Sequence, residues 1–482
     1  MRNFISKKAL LPLLLLLHLP FLFLYHVCSD TPVLSAPMEK AEQEALYMVI
    51  QGFVGEGWNV SGLYPDPCGW TMIQGVSCDL FDNFWYITDI NIGPVLENSL
   101  ECSPDAKFTP QLFELKHLKS LSIFNCFTST SHQPSTISSQ NWDKLATNLE
   151  TLEFRSNQGL NGEIPSIFGK LTNLNSLVLI DNALTGVIPQ ELSNLVHLKR
   201  LVLSGNQFSG SIPPSLATNL TELLIMDLSR NSLTGALPAS FGYLTSLIKL
   251  DLSHNLLNGR LPNELGKLQN LTLLDLKDNF VSHGLPQSLQ NLVSLQDLLL
   301  SNNPLGGDLV SFSWENLSNL TTLDLSNTGI TGIIPETIAG LRRLRYLALD
   351  NNHLTGNVPQ KLASLPWLNT LYLNENNLTG VLEFPDDFYK RMGRRFASWN
   401  NTNLCYSTVE TLSVGHAPYG VQQCKHEQHV NVLSSNSNVG DGDKDQNSSI
   451  MASLGLSASF HELWWVVLVQ EVVVFTILLL ML

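Results

Sequence analysis

Leucines recur along the middle of this chain with a rhythm longer than any helix or strand. From Leu149 to Pro385 one frame, LxxLxLxxNxLxGx(I/L/V)P, is written over and over, as in Leu247, Leu250, Leu252, Asn255, Leu257, Gly259, Leu261 and Pro262. Its asparagine falls at Asn157, Asn182, Asn206, Asn231, Asn255, Asn279, Asn303, Asn352 and Asn376, with Thr328 in the slot between Asn303 and Asn352, in steps of 24 or 25 residues. The LxL core predicts a short strand whose leucines point inward while the residues between them face out. The asparagine marks where the chain leaves the strand, and its amide can bond backbone groups that the turn would otherwise orphan. The Gly and Pro shape the return path. A single unit cannot bury its leucines, so units must stack and both ends need caps. A threonine can do only part of the asparagine's work, which predicts a weak point at Thr328.

A self-similar period of this length is the mark of a leucine-rich repeat solenoid. The expected fold class is therefore an α/β-type repeat solenoid, a right-handed superhelix with a parallel sheet on its concave face and disulfide-closed caps. Ahead of the regular repeats, Met38 to Gly52 reads as a helix, with Ala41, Ala45, Leu46, Val49 and Ile50 along one side. Ile87, Ile90 and Ile92 give the strand frame once, and Leu118, Leu121 and Ile123 give it again with Cys126 in the asparagine slot. The Ser/Thr/Gln-rich stretch from Thr128 to Trp142 is expected to be a surface insertion.

The two ends carry other signals. Residues 1–29 read as a secretory leader: Arg2, Lys7 and Lys8, then the apolar run Leu10 to Leu24, then small residues. Residues 425–460 are polar and read as a stalk. Residues 461–482 are apolar and read as a membrane anchor, either a GPI-attachment signal or a single terminal span. Between these lie an N-terminal cap at 30–86, the solenoid at 87–385 and a C-terminal cap at 386–424. Export through the secretory route makes the cysteines disulfide candidates. Of seven, Cys28 falls in the leader, and the other six are expected to pair locally as Cys68–Cys78, Cys102–Cys126 and Cys405–Cys424. Trp58 and Trp70 are expected to cover the first apolar layer.

Composition changes the picture mainly by exclusion. A net charge of −15 argues against a nucleic-acid partner, which would call for a basic face. No GxGxxG, P-loop, GxSxG, HExxH or metal-spaced Cys/His cluster occurs, so neither an enzyme nor a cofactor is expected. Candidate chemistry lies in the outward strand slots. There the row reads Asp227, Asp251, Asp275, Leu299, Asp324 and then Tyr372, with Tyr346 nearby; it suggests a groove for an extended ligand with cationic groups at its centre. Lys390, Arg391, Arg394 and Arg395 form the one basic cluster, suited to docking a partner. Sequons at Asn59, Asn219, Asn270, Asn316, Asn319, Asn377, Asn400 and Asn447 are candidate glycosylation sites.

Three stretches are more specific: the cap wording NVSGLYPDPCGWTMIQGVSCDLF (residues 59–81), ITDINIGP (87–94), and residues 99–127 with Cys102 and Cys126. Taken with the repeats, terminal cap and apolar tail, they resemble the plant receptor-like proteins. That resemblance implies a plasma-membrane protein without a kinase, its bulk on the extracellular face, which recognises a protein, peptide or glycan ligand. It implies signalling through a partner receptor kinase, in the plant's response to a root endophyte or other microbes. The polygalacturonase-inhibiting proteins share about ten such repeats and offer the alternative of a blocker of a microbial cell-wall enzyme.

Overall fold

A computed structural model of the chain describes residues 36–58, 60–94, 100–128, 135–407 and 418–424. The leader, stalk and apolar tail, and the sequons at Asn59 and Asn447, lie outside the described residues. Each LxL becomes one strand of a 14-stranded sheet that runs from Val76–Phe81 to Phe396–Ala397 without interruption. Its first two strands pair antiparallel and form a hairpin; all later neighbours are parallel. The register keeps like on like: Met226, Leu250, Leu274, Leu298, Leu323, Leu347 and Leu371 stand side by side. All are fully buried, and each contributes about 1.5–3 kcal/mol by leaving water.

The asparagines form the expected ladder. Asn255 donates from Nδ2 to the carbonyls of Leu228, Leu252 and Ser253 at 3.0–3.1 Å, and its Oδ1 accepts from Leu233 N at 3.0 Å. It thus ties its own turn to the preceding coil. Thr328 is fully buried and does less. Its hydroxyl donates to the Leu325 carbonyl at 2.7 Å, and none of its side-chain bonds reaches back to the coil of Asn303.

On the flank that follows each turn, a second parallel sheet has seven strands, Ser135–Thr136 through Phe280–Ser282. A third has five, Thr331–Ile333 through Gln422–Gln423. They are separated at the coil after Asn303, where Gly306 and Gly307 both take positive φ and a lone bridge, Asp308 to Thr331, stands in for a strand pair. This is the coil in which Val310 stands where the frame calls for proline.

The caps follow from the end coils' need for cover. The helix Lys40–Val54 buries Leu46, Val49, Ile50 and Phe53, and one turn of it carries the buried Glu42, whose Oε1 accepts from Ile87 N at 3.4 Å. Cys68–Cys78 and Cys102–Cys126 close the N-terminal side and Cys405–Cys424 the C-terminal side. The tryptophan reading needs correction. Trp58 packs on Tyr64 with ring centroids 5.5 Å apart, but Trp70 is 78% exposed and covers nothing. The insertion is corrected too. Ser135–Thr136 opens the seven-stranded sheet, and Trp142 is wholly buried with its indole N–H on the Ser138 carbonyl at 2.9 Å. Ile137 and Trp142 belong to the core, while Thr136 and Ser139 to Asn141 stay on the surface as expected.

Candidate functional site

The outward slots of the long sheet line up in the order the register dictates: Asp227 beside Asp251, Asp251 beside Asp275, Asp275 beside Leu299, Leu299 beside Asp324. Each carboxylate has a local duty. Asp227, Asp251 and Asp324 accept through Oδ1 from the amide and hydroxyl of the serine two residues on, at 3.1 and 2.7 Å. The LDLS wording is thereby a strand-end lock. Asp275 accepts from Lys277 N at 3.0 Å and holds the Lys277 ammonium at 3.3 Å.

Packing these acids side by side has an electrostatic cost. Burial, and then the charge of Asp251, push the Asp275 carboxyl up to about 7, against the pull of Lys277. The same two causes, in the same order, raise Asp227. Lys277 is itself raised: burial works against its charge, but Asp275, Asp251 and Asp278 outweigh it. Among the described residues no cluster of His, Cys, Asp or Glu is arranged to hold a metal ion.

Towards the C-terminal end the face changes character. Tyr346 and Tyr372 meet edge to face with centroids 5.9 Å apart. In the same stretch, one slot after Ala348, sits Asp350, a residue that sequence reasoning passed over. Its Oδ1 is buried and has no hydrogen-bond partner among the described residues. Burial raises its pKa to about 6, against the pull of its own backbone amide, and the nearby Asp324 and Glu375 charges add to the rise. A buried acceptor left unmade costs about 1–3 kcal/mol. The signal was legible only as one more aspartate in an outward slot; its missing partner is a property of the folded face.

The basic cluster is less free than its spelling suggested. Arg391 donates to the Leu368 carbonyl at 2.8 Å, Arg395 to the Arg391 carbonyl at 2.7 Å, and Lys390 lies 4.0 Å from Asp387. Arg394 remains exposed with no such bond among the described residues. Nor is this cluster alone, as the sequence reading had it: Arg342, Arg343 and Arg345 make another. Of the described sequons, Asn219, Asn270, Asn316, Asn377 and Asn400 are exposed and Asn319 is half-buried. Asn270 and Asn319 also donate across to the previous coil, to Thr245 O and Val293 O.

The repeat geometry agrees with the match of residues 147–208, 210–257 and 311–354 to the family described as leucine rich repeat. The chain is a leucine-rich repeat protein. It is similar to plant receptor-like proteins. Piriformospora indica-insensitive protein 2 of Arabidopsis thaliana is 59% identical over 148 residues, 30% of this chain and 34% of that protein. Receptor like protein 29 of the same plant is 36% identical over 161 residues, 32% of this chain and 33% of that one. This leucine-rich repeat protein thus spans about a third of the length of these relatives. Among solved structures, PEPR1-AtPEP1 superposes with a TM-score of 0.58 at 26% identity, covering 77% of this chain and 52% of that chain. A plant ice-binding protein superposes at 0.50 and 22% identity, covering 81% and 99%, which speaks for the fold alone.

Proposed function

We propose that this leucine-rich repeat protein is a membrane-attached extracellular recognition module, without catalytic chemistry of its own, that captures a ligand on the concave face. It signals laterally, through a partner receptor kinase, in the plant's response to a root endophyte or other microbes. The observation that carries the ligand site is Asp350. Its orphan carboxylate oxygen sits on the same face as the paired rings of Tyr346 and Tyr372. A ligand's ammonium, guanidinium or N–H supplies the donor that the fold withholds, and the rings give it an apolar wall. The central aspartates, locked to their serines, serve mainly as a negative field that draws a cationic segment into register.

Similarity to Piriformospora indica-insensitive protein 2 supports the microbial setting, and similarity to Receptor like protein 29 supports the receptor-like role. PEPR1-AtPEP1 supports a bound ligand on this architecture. Plasma-membrane attachment rests on the sequence of residues 461–482; among the described residues no helix is long and apolar enough to cross a membrane.

The test is recovery of the tagged full chain from root membranes, with mass spectrometry of what accompanies it, beside Asp350→Asn and Tyr346→Ala variants. The reading expects one ligand and one kinase held by the parent chain, and the ligand lost from both variants at equal surface level. Variants that retain the ligand at parental yield would place the site elsewhere.

A further inference from the structure

The slots just before each strand form a lateral edge, and in one region this edge reverses the charge of the molecule. Arg343 and Trp367 occupy the same slot in successive coils, as do Arg345 and Asn369. The backbone holds them together, with Asn369 N donating to Arg345 O at 2.9 Å. The Arg345 guanidinium stands over the Trp367 ring, 6.0 Å from its centroid, and Trp367 is 61% exposed. Arg391, one coil further, reaches the carbonyl of Leu368, the residue after Trp367, at 2.8 Å. Two coils therefore bring cationic groups to one edge, on either side of the coil whose Trp367 forms a flat apolar plate. Earlier coils carry Asn173, His197 and Glu222 in the Arg343 slot.

These charges are not internally neutralised. Among the described residues no carboxylate lies within ion-pair distance of Arg342, Arg343, Arg345 or Arg391. Arg342 borders an open hollow of about 440 Å³ with Glu315 and Glu336, but Glu336 is already bridged to Lys361 at 3.3 Å. In a chain of net charge −15, an edge of this kind marks where an anion is received.

We propose that this edge binds a linear polyuronate, a chain of sugars each bearing a carboxylate, laid along the solenoid axis. Guanidiniums grip carboxylates through two parallel N–H donors, and with coils roughly 4.8 Å apart the arginines of the Arg343 coil and Arg391, two coils on, stand roughly 10 Å apart, so that a polymer with regularly repeating carboxylates reaches both across Trp367. The indole face of Trp367 receives the apolar face of a sugar ring. An acidic polypeptide offers the charges but no such ring, and Trp367 distinguishes the two. The proposal is independent of the concave-face reading, since Asp350, Tyr346 and Tyr372 take no part in it.

The experiment is calorimetric titration of the full chain, in buffer without divalent cations, with an oligogalacturonate of defined length. A neutral oligoglucan of equal length and a polyglutamate of equal charge serve as comparisons. Expected is binding of the oligouronate that weakens about tenfold between low and physiological salt, none of the neutral chain, and polyglutamate about tenfold weaker. The triple change R342E/R343E/R345E should weaken oligouronate binding by more than about tenfold and Trp367→Ala by about fivefold. The control K40E/K144E/K267E makes the same charge change elsewhere and should leave it unaltered. Should the triple variant melt early, Arg343→Gln and Arg345→Gln carry the comparison. No oligouronate binding, or an equal loss in the control, overturns the proposal. So does polyglutamate binding as tightly while Trp367→Ala changes nothing, which would assign the edge to an acidic protein.

Discussion

The hydroxyl of Thr328 lies 3.0 Å from Oδ1 of Asn352, and that same oxygen also accepts from Thr328 N and Ile330 N, both at 3.0 Å. Asn352 therefore holds its neighbour's turn with one oxygen while its Nδ2 serves Leu325 O, Leu349 O and Asp350 O. Removing it orphans several buried groups at once. Asn352→Ala is expected to cost about 2–4 kcal/mol, and Thr328→Ala, which gives up mainly the bond to Leu325 O, about 1–2 kcal/mol. Urea melts of the two variants check the order; equal losses would mean that the ladder is not what stabilises this coil.

The pH dependence should run opposite to that of most carboxylates. Asp275 and Glu42 are raised to about 7 and Asp350 to about 6, all by burial first. Each holds more protons folded than unfolded, so its stabilising share is full below the unfolded value near 4 and lost as pH rises through the folded one. The melting temperature should fall between about pH 4 and 7.5, most steeply across about 5 to 6.5, and Asp275→Asn should flatten part of that slope. A profile that climbs over the same range contradicts the assignment.

In and out alternate at Leu252 and Asp251, which gives a sharp stability contrast. Leu252→Asp places an unpaired charge in the sealed leucine stack and should cost several kcal/mol. Asp251→Asn removes the charge between Asp227 and Asp275 and keeps a side-chain acceptor for Ser253, so its effect should lie within about 0.5 kcal/mol. Thermal melts at neutral pH that moved equally for both would break the assignment of faces.

Much of this was written in the spelling. The period put each leucine, each ladder asparagine and the outward aspartates in a slot, and a slot fixes what a residue faces within its own coil. What lies beside a residue in the next coils is a different matter. Arg343 and Trp367 are neighbours because they share a slot 24 residues apart, which only alignment of the positions outside LxL brings out. Arg230 bridges to Asp181 at 3.0 Å over the coil of Gly205, whose Cβ, if it had one, would sit 2.1 Å from the Asp181 carboxylate. Nothing in the repeat wording foretells that reach. Exposure of Trp70 and the unmet oxygen of Asp350 likewise depend on packing between segments remote in sequence.

Partner docking can be probed where the cluster is still unengaged. Tyr372 pairs in register with Ala397, just beyond Arg394, so the double change Tyr372→Ala with Arg394→Glu alters two neighbouring anchors of the kind that dominate interfaces. It should reduce kinase capture from membranes by at least about tenfold while secretion and melting temperature hold. Full capture by that variant would move the docking surface off this end.

The cut between Ser282 and Thr331 has a consequence for how the array comes apart. The fourteen-stranded sheet couples every coil to the next, but on the flank, among the described residues, no strand pair passes through the coil of Gly306 and Gly307, which is held by the Gly284 N to Leu305 O bond at 2.7 Å on one side and the Asp308–Thr331 bridge on the other. In a one-dimensional chain of interacting units this is one weakened nearest-neighbour bond, and such a bond is where two cooperative blocks decouple. Amides of residues 305–310 should exchange with solvent ahead of their equivalents in other coils. A ligand lying from Leu299 to Tyr372 would cross that seam, and closing it would make the two blocks melt as one.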